Sequence, residues 1–173
     1  MLSQRLAAAI NQQIIGEFSS AYLYLAMAAH FEKEDLQGFA TWMRIQAQEE
    51  ASHALIFFNF LADRDGLPVL TALDVPPAEF GTPQEVFKKV KEHERKVSAA
   101  IYELADLALA EKDHATRALT DWFVTEQVEE QAVSSAIHAR LKLINGDPTG
   151  ILAMDAELGK RTYVLPPPLA GRL

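Results

Sequence analysis

Glu50 and His53 lie three residues apart in a long segment with helical periodicity, far from any glycine or proline. On an α-helix this spacing places both side chains on one face. A carboxylate and an imidazole on one face form a metal-ligand pair, and Glu-x-x-His is one component of the di-iron sites built inside helix bundles. Such a pair alone is weak evidence of a metal site. It gains meaning if other helices supply ligands at the same depth.

Carboxylates occur near the middle of three other predicted helices. Glu17, Glu94 and Glu130 each interrupt an apolar stripe, as Glu50 does, and these stripes carry no lysine or arginine. A buried carboxylate is costly unless a partner neutralises it. A pair of divalent or trivalent cations would do so, and four carboxylates with one imidazole suit iron or manganese, although zinc also accepts this set. The alternative is that the helices are rotated differently and these acids face solvent.

Other polar residues near these positions have two interpretations each. Tyr24 shares a face with Glu17. It is either an amphipathic core tyrosine, or a residue that forms a hydrogen bond to a metal ligand or has a redox role of its own. Glu49, Glu126 and Glu129 belong either to the solvated surface or to an auxiliary cation site beside the main one. The other histidines do not belong to such a group of potential ligands and are predicted at the surface or at an interface: His30, His93, His114 and His138.

Start and stop signals divide the chain into four helices of roughly 30 residues and a short fifth helix. The strongest start is Thr82-Pro83-Gln84-Glu85, which combines an N-cap, a proline at the first helical position and a capping box. Asp35 is predicted to cap the second helix, which should end near Asp65 because Gly66 can take the left-handed conformation. The other boundary signals are Ser3, Lys33, Asp113, Asn145-Gly146, Asp147-Pro148 and Gly159.

Residues 66–82 are punctuated by glycine and proline and contain no helix signal. A connection of this length reaches at most ~56–60 Å when extended, enough to run the length of a helix. The second and third helices are therefore predicted to be parallel, in an all-α four-helix bundle with one long crossover. Residues 1–158 should form this bundle with its fifth helix, and the Pro-rich residues 159–173 an extended C-terminal tail.

Composition excludes several classes of function. The 173-residue chain is 49% hydrophobic and 23% charged, with a net charge of −8, which argues against nucleic acid and membranes as partners. It has no cysteine, so thiolate metal sites and Fe–S clusters are excluded. The sequence shows neither a membrane-spanning run nor the pattern of a signal peptide, so a cytoplasmic location is expected.

Four motifs combine the residues singled out above: Glu17 with Tyr24, Gln46-Ala47-Gln48-Glu49-Glu50-x-x-His53, His93-Glu94, and Trp122-x-x-x-Glu126-Gln127-x-Glu129-Glu130. With this combination the chain resembles the bacterial non-haem ferritins over residues 1–158. The resemblance implies a ferritin-like fold and a homo-oligomer, a hollow cage of 24 subunits. It also implies ferroxidase activity, in which O2 or H2O2 oxidises Fe2+ to Fe3+ for storage as a ferric mineral.

Carried over by position, the resemblance implies that Glu17, Glu50 and His53 hold a first iron ion. It implies that Glu50, Glu94 and Glu130 hold a second, with Glu50 bridging the two. Gln127 and Tyr24 would support these ligands. The residues that resemble a third iron site are Glu49, Glu126, Glu129 and Glu130.

Two related families differ at identifiable positions. Bacterioferritins and rubrerythrins carry a second Glu-x-x-His on the fourth helix, where this chain has Gln127 and Glu130. Bacterioferritins also have a haem-ligating methionine after the second-helix glutamate, and Ala51 stands there, so no haem is expected. Two alternatives stay open. One is another di-iron carboxylate enzyme, such as a rubrerythrin-like peroxide scavenger or an oxygenase, and the other is a metal-free cage or scaffold.

Overall fold

The structure, a computed structural model, describes residues 2–172 as helices and connecting segments, and no strand occurs in that range. The fold is all-α, as predicted. No helix of the described range is both long and apolar enough to cross a bilayer. The helices are α1 Gln4–Lys33, α2 Gln37–Asp63, α3 Pro83–Ala110, α4 His114–Ile144 and α5 Pro148–Leu158, and a 3₁₀ turn spans Pro167–Leu169.

Side-chain caps begin most of the helices where the sequence predicts them. Ser3, Asp113 and Asp147 each accept a hydrogen bond from the backbone N–H three residues on, at the starts of α1, α4 and α5. Thr82 and Glu85 form the reciprocal capping box that begins α3. These local bonds satisfy helix donors that have no partner within the helix.

Two predicted boundary residues have other roles. Asp35 does not cap α2: its φ of 57° makes it the left-handed residue that closes α1, and the Leu36 N–H bonds to the Phe31 carbonyl at 3.0 Å. Asp65, with a φ of 61°, likewise takes the left-handed position predicted for Gly66 at the end of α2. Aspartate tolerates this conformation better than most residues. Both helices therefore end without a glycine in the left-handed conformation.

The N-terminus of α2 is capped from α5 instead. Leu36 has no side-chain cap bond, and Asp155 Oδ1 accepts a hydrogen bond from the Phe39 N–H at 2.9 Å. Gly38 permits this approach, because a Cβ there would lie 1.7 Å from the Asp155 carbonyl oxygen. The fifth helix therefore supplies a partner that the residues before α2 do not.

The apolar core shows that α2 and α3 are parallel, as predicted. One cluster joins Phe31 near the end of α1 to Phe39 and Phe87 near the starts of α2 and α3. A second cluster, at the opposite end of the bundle, contains Leu61 and Ile101 from the later parts of the same two helices. The four long helices therefore form a four-helix bundle whose second and third members need a long connection.

That connection, residues 64–82, runs along α1. Near the start of α1, the Asn11 side chain bonds to the Leu67 carbonyl at 3.3 Å and to the Val69 N–H at 2.7 Å. Near its end, His30 Nε2 lies 2.8 Å from the Gly81 carbonyl oxygen. His30 is consequently buried, because the crossover and the neighbouring aromatic rings cover it. Of its two predicted positions, surface or interface, the surface position is therefore wrong.

Between the two apolar clusters, a layer of buried polar side chains crosses the bundle. We call it the polar layer. It lies at the depth predicted from the mid-helix positions of the acids. Its main members are Glu17, Ser20, Gln46, Glu50, His53, Glu94, Ser98, Gln127, Glu130 and Ser134.

Residues 159–172, here called the C-terminal strap, lie along α2. Tyr163 Oη is 2.7 Å from Ser52 Oγ, and Arg172 forms an ion pair with Asp63 at the end of the helix. Leu169 is fully buried in the second apolar cluster. The predicted extended conformation is interrupted by the 3₁₀ turn, which directs Leu169 into the core.

Candidate metal centre

The polar layer brings one glutamate from each long helix into the interior. Glu17, Glu50, Glu94 and Glu130 are all buried, with 7% exposure or less. Each interrupts an apolar stripe, so the packing that buries the stripe also buries the acid. The alternative prediction, in which the helices are rotated differently and these four glutamates face solvent, is therefore wrong.

Glu17, Glu50 and His53 form the tightest group. Each offers one ligand atom, and these atoms lie within 4.8 Å of one another. His53 Nδ1 is 3.5 Å from Glu50 Oε2, and Gln13 Nε2 donates to Glu17 Oε1 at 2.8 Å. Among residues 2–172, no hydrogen-bond partner reaches Glu17 Oε2 or His53 Nε2, although both atoms are buried. An unpartnered buried carboxylate oxygen is costly, and a cation would satisfy it.

The pKa values of Glu17 and His53 lie far above their ordinary values, and that of Glu50 lies below its own. Burial, followed by the charge of Glu50, raises the pKa of Glu17 from 4.5 to about 8. Burial would also raise the pKa of Glu50, but the hydrogen bond and charge of His53 bring it below 4.5. Burial lowers the pKa of His53, yet its contacts with Glu50 and the charge of Glu17 raise it to about 10. At pH 7 the group therefore holds protons on Glu17 and His53.

Glu94 and Glu130 lie beside this group. Tyr24 Oη donates to Glu94 Oε1, and Gln127 Nε2 lies 3.4 Å from Glu94 Oε2. Burial, then the charges of Glu50 and Glu130, raise the pKa of Glu94 well above 4.5. Burial, then the charge of Glu50, raise the pKa of Glu130 to about 7. The charge of Glu50 thus acts on ligands of both predicted iron positions.

Glu49, Glu126 and Glu129 lie at the edge of the polar layer. Glu49 and Glu126 are partly buried, whereas Glu129 is exposed. Burial raises the pKa of Glu126, and the charge of Glu129 adds to that effect. Glu49 forms an ion pair with Arg161 of the C-terminal strap. These three acids are therefore more open to solvent than the four glutamates of the interior.

Comparison with known proteins decides the family. The model of the ferritin-like domain matches residues 7–144. The chain belongs to the ferritin family. This confirms the resemblance found in the motifs, and it agrees with the four-helix bundle, the long crossover and the buried acids described above.

Other ferritins match almost the whole chain. A bacterial non-haem ferritin of Bacteroides fragilis is 45% identical over 161 residues, which are 93% of this chain and 100% of that protein. One of Staphylococcus aureus is 36% identical over 163 residues, covering 94% and 98%. The crystal structure of an open-pore ferritin from the archaeon Archaeoglobus fulgidus is 43% identical, with a TM-score of 0.92 over 94% of this chain and 100% of that one.

Sequence reasoning missed three partners of the acids in this ferritin. Gln13 and Gln46 lie four residues before Glu17 and Glu50, and each donates a hydrogen bond to that glutamate. Their i,i+4 spacing is a signal that the sequence already contained. Arg161 lies in a segment without periodicity, so no sequence pattern places it against Glu49.

The remaining histidines of this ferritin lie outside the Glu17–Glu50–His53 group. His93 is half-buried, and its Nε2 is 2.8 Å from Ser20 Oγ in the polar layer. His114 is exposed and His138 is partly exposed, in agreement with their predicted surface positions.

Proposed function

We propose that this ferritin stores iron as one subunit of a hollow, cytoplasmic cage of 24 copies. Each subunit oxidises Fe2+ to Fe3+ with O2 or H2O2 at a di-iron site, and the ferric product is deposited as mineral inside the cage. One observation carries the proposal: the buried Glu17–Glu50–His53 group, with ligand atoms within 4.8 Å of one another and an unpartnered oxygen on Glu17.

In this proposal iron is the substrate. Glu17, Glu50 and His53 bind the first ion, and Glu50, Glu94 and Glu130 bind the second, with Glu50 bridging. Anionic oxygen ligands suit hard cations and favour the ferric state over the ferrous one. Two Fe2+ ions held together supply the two electrons that reduce O2 to H2O2, with two protons taken up.

Two neighbours of Glu94 would keep that ligand in place. Burial, then the charge of Glu94, raise the pKa of Tyr24 well above 10, so its hydroxyl stays protonated and donates to Glu94. Gln127 approaches the other oxygen of the same carboxylate. We assign these two residues a supporting role. We further assign a third iron position to Glu49, Glu126 and Glu129, with Glu130.

The test replaces Glu50 or His53 by alanine. Either change removes a ligand from the first site, and Glu50→Ala also removes the bridge. We expect the initial rate of Fe2+ oxidation, measured by stopped-flow absorbance, to fall about 10–100-fold or more, while the assembly keeps its size. Glu103→Ala, at an exposed position of α3, is the matched control and should behave as the wild type. Unchanged oxidation in Glu50→Ala and His53→Ala would refute the site.

A further inference from the structure

The C-terminal strap places a positive charge at the edge of the polar layer. Arg161 Nη1 donates to Gln46 Oε1 at 2.8 Å, and its Nη2 pairs with the Glu49 carboxylate. The central carbon of the guanidinium lies 4.5 Å from the centre of the Trp42 ring. The side chains of Arg161 and Glu49 keep 23% and 17% of their exposure, so the ion pair is mostly withdrawn from water.

Gln46 transmits this contact to the candidate metal centre. Its side chain is fully buried, and its Nε2 donates to Glu50 Oε1 at 2.9 Å. Its carbonyl oxygen accepts the bond from Arg161. Reversing the amide would set its oxygen against the Glu50 carboxylate and its NH2 group against the guanidinium. Arg161 therefore fixes which end of Gln46 meets Glu50.

The position of Arg161 does not depend on its ion pair alone. Further along the strap, Tyr163 is bonded to Ser52, and Leu169 is fully buried in the core. Contact with the Trp42 ring adds a cation–π attraction. The Trp42 ring on one face and the anchored residues that follow in the strap thus hold the guanidinium at the edge of the polar layer.

We propose that Arg161 is a positioning residue of the metal centre: it orients Gln46 toward Glu50 and is the tethered counter-ion of Glu49 that a third metal ion must displace. The inference rests on the proposed function, because it assumes metal ions at Glu50. A guanidinium and a metal ion are both positive, so they compete for the Glu49 carboxylate. The strap therefore keeps the affinity for a third metal ion low.

The experiment is anaerobic titration calorimetry with Zn2+, a redox-inert probe, on the assembled protein. The wild type should bind two ions per subunit tightly and a third weakly. Arg161→Gln removes the competing charge and should strengthen the third step about tenfold or more. Adding Glu49→Gln to that variant should cancel the gain. The matched control is Arg172→Gln, because this second arginine of the strap pairs with Asp63 far from the site and should leave all three steps unchanged.

The orientation of Gln46 has its own readout. Arg161→Lys keeps the positive charge, but an ammonium lacks the fork that bonds Gln46 and Glu49 together. The third step should therefore stay weak in Arg161→Lys. The first two ions should bind less tightly in Arg161→Lys and in Arg161→Gln alike. Wild-type affinity for the first two ions in both variants would refute the orienting role.

A second measurement leaves the strap unchanged. In Trp122→Phe, Trp42 is the remaining tryptophan of the chain. Its fluorescence should change with the third Zn2+ ion and not with the first two, because the third displaces the guanidinium that lies over the ring. Constant Trp42 emission through the third step would overturn the proposal.

The outcomes separate the two hypotheses. If the wild type binds two ions tightly but the affinity for the third ion is unchanged in Arg161→Gln, the counter-ion role is overturned and the proposed function stays in place. Absence of tight Zn2+ binding in the wild type overturns the proposed function itself, and the inference about Arg161 falls with it.

Discussion

At the scale of single residues, several side chains of the polar layer have raised pKa values at the positions where the proposed metal ions would bind. Burial among other carboxylates raises the pKa of Glu17 to about 8 and that of Glu130 to about 7. The pKa of His53 reaches about 10 despite its burial, because Glu50 and Glu17 lie beside it. Metal ligands must be deprotonated, so an ion that binds here displaces these protons.

We therefore expect Zn2+ binding at pH 7 to release about two protons or more per subunit, from Glu17 and His53. The affinity for Zn2+ should rise between pH 6 and pH 8, because Glu17 is protonated below its pKa of about 8 and must lose that proton to bind metal. Calorimetry in buffers of different ionisation enthalpy measures the release. Glu17→Gln, which has no carboxyl proton to lose, should release fewer protons. Affinity that stays constant across this pH range would contradict the prediction.

At the scale of helices, one ion pair joins the end of α2 to the start of α4. Arg64 follows α2, and its guanidinium donates two hydrogen bonds, of 3.0 and 2.7 Å, to the carboxylate of Asp113. Asp113 is also the N-cap of α4, through the Thr116 N–H at 2.8 Å. The hydrogen bond from Arg64 holds the pKa of Asp113 well below its ordinary range. Helix capping and the ion pair therefore depend on the same ionised carboxylate.

We expect Arg64→Gln to lower the stability of the fold by roughly 1 kcal/mol at pH 7. Because the pKa of Asp113 is depressed in the folded protein, this stabilisation is complete above the ordinary value of 3.8 and is lost progressively as the pH falls from there through the lower pKa of the folded state. The difference in thermal unfolding midpoint between variant and wild type should thus shrink from pH 7 to pH 3. Arg140→Gln, which breaks the exposed pair with Glu157, should have little effect at either pH. An equal difference for Arg64→Gln at both pH values would argue against this account.

The helical framework could be predicted wherever a local signal decides the structure. Thr82 with Glu85, and Asp113, form their caps from bonds that reach only three residues along the chain. The cap of α2 could not be predicted, because its acceptor is Asp155 of a distant helix. The same distinction holds at the site: mid-helix depth predicts the buried acids, whereas Arg161 reaches Glu49 only through tertiary packing.

At the scale of the whole molecule, the crossover presents apolar side chains to solvent. Leu67 and Val75 are 77% and 89% exposed, and Val69 and Leu70 are more than half exposed. Exposed apolar groups along one connection are typical of a surface that another molecule covers. In the proposed cage, a second copy of the chain would cover them.

Light scattering should therefore give a mass of about 460 kDa, the value for 24 copies of a 19.2 kDa chain. Replacing Leu67 and Leu70 together by lysine should reduce that mass, because charges would enter a contact between subunits. Asp74→Lys is the matched control, since it introduces a lysine at an exposed position of the same crossover that already carries a charge. A monomer or dimer of the wild type would rule out the cage.

The separation of the two apolar clusters by the polar layer also has a consequence for engineering. Two apolar clusters pack the helices together toward the ends of the bundle, whereas the proposed metal ligands lie in the polar layer between them. The residues of the polar layer could be replaced by another set of metal ligands, or by apolar side chains only, while both apolar clusters are kept unchanged. The bundle is in this sense modular along its axis, although its chain is continuous.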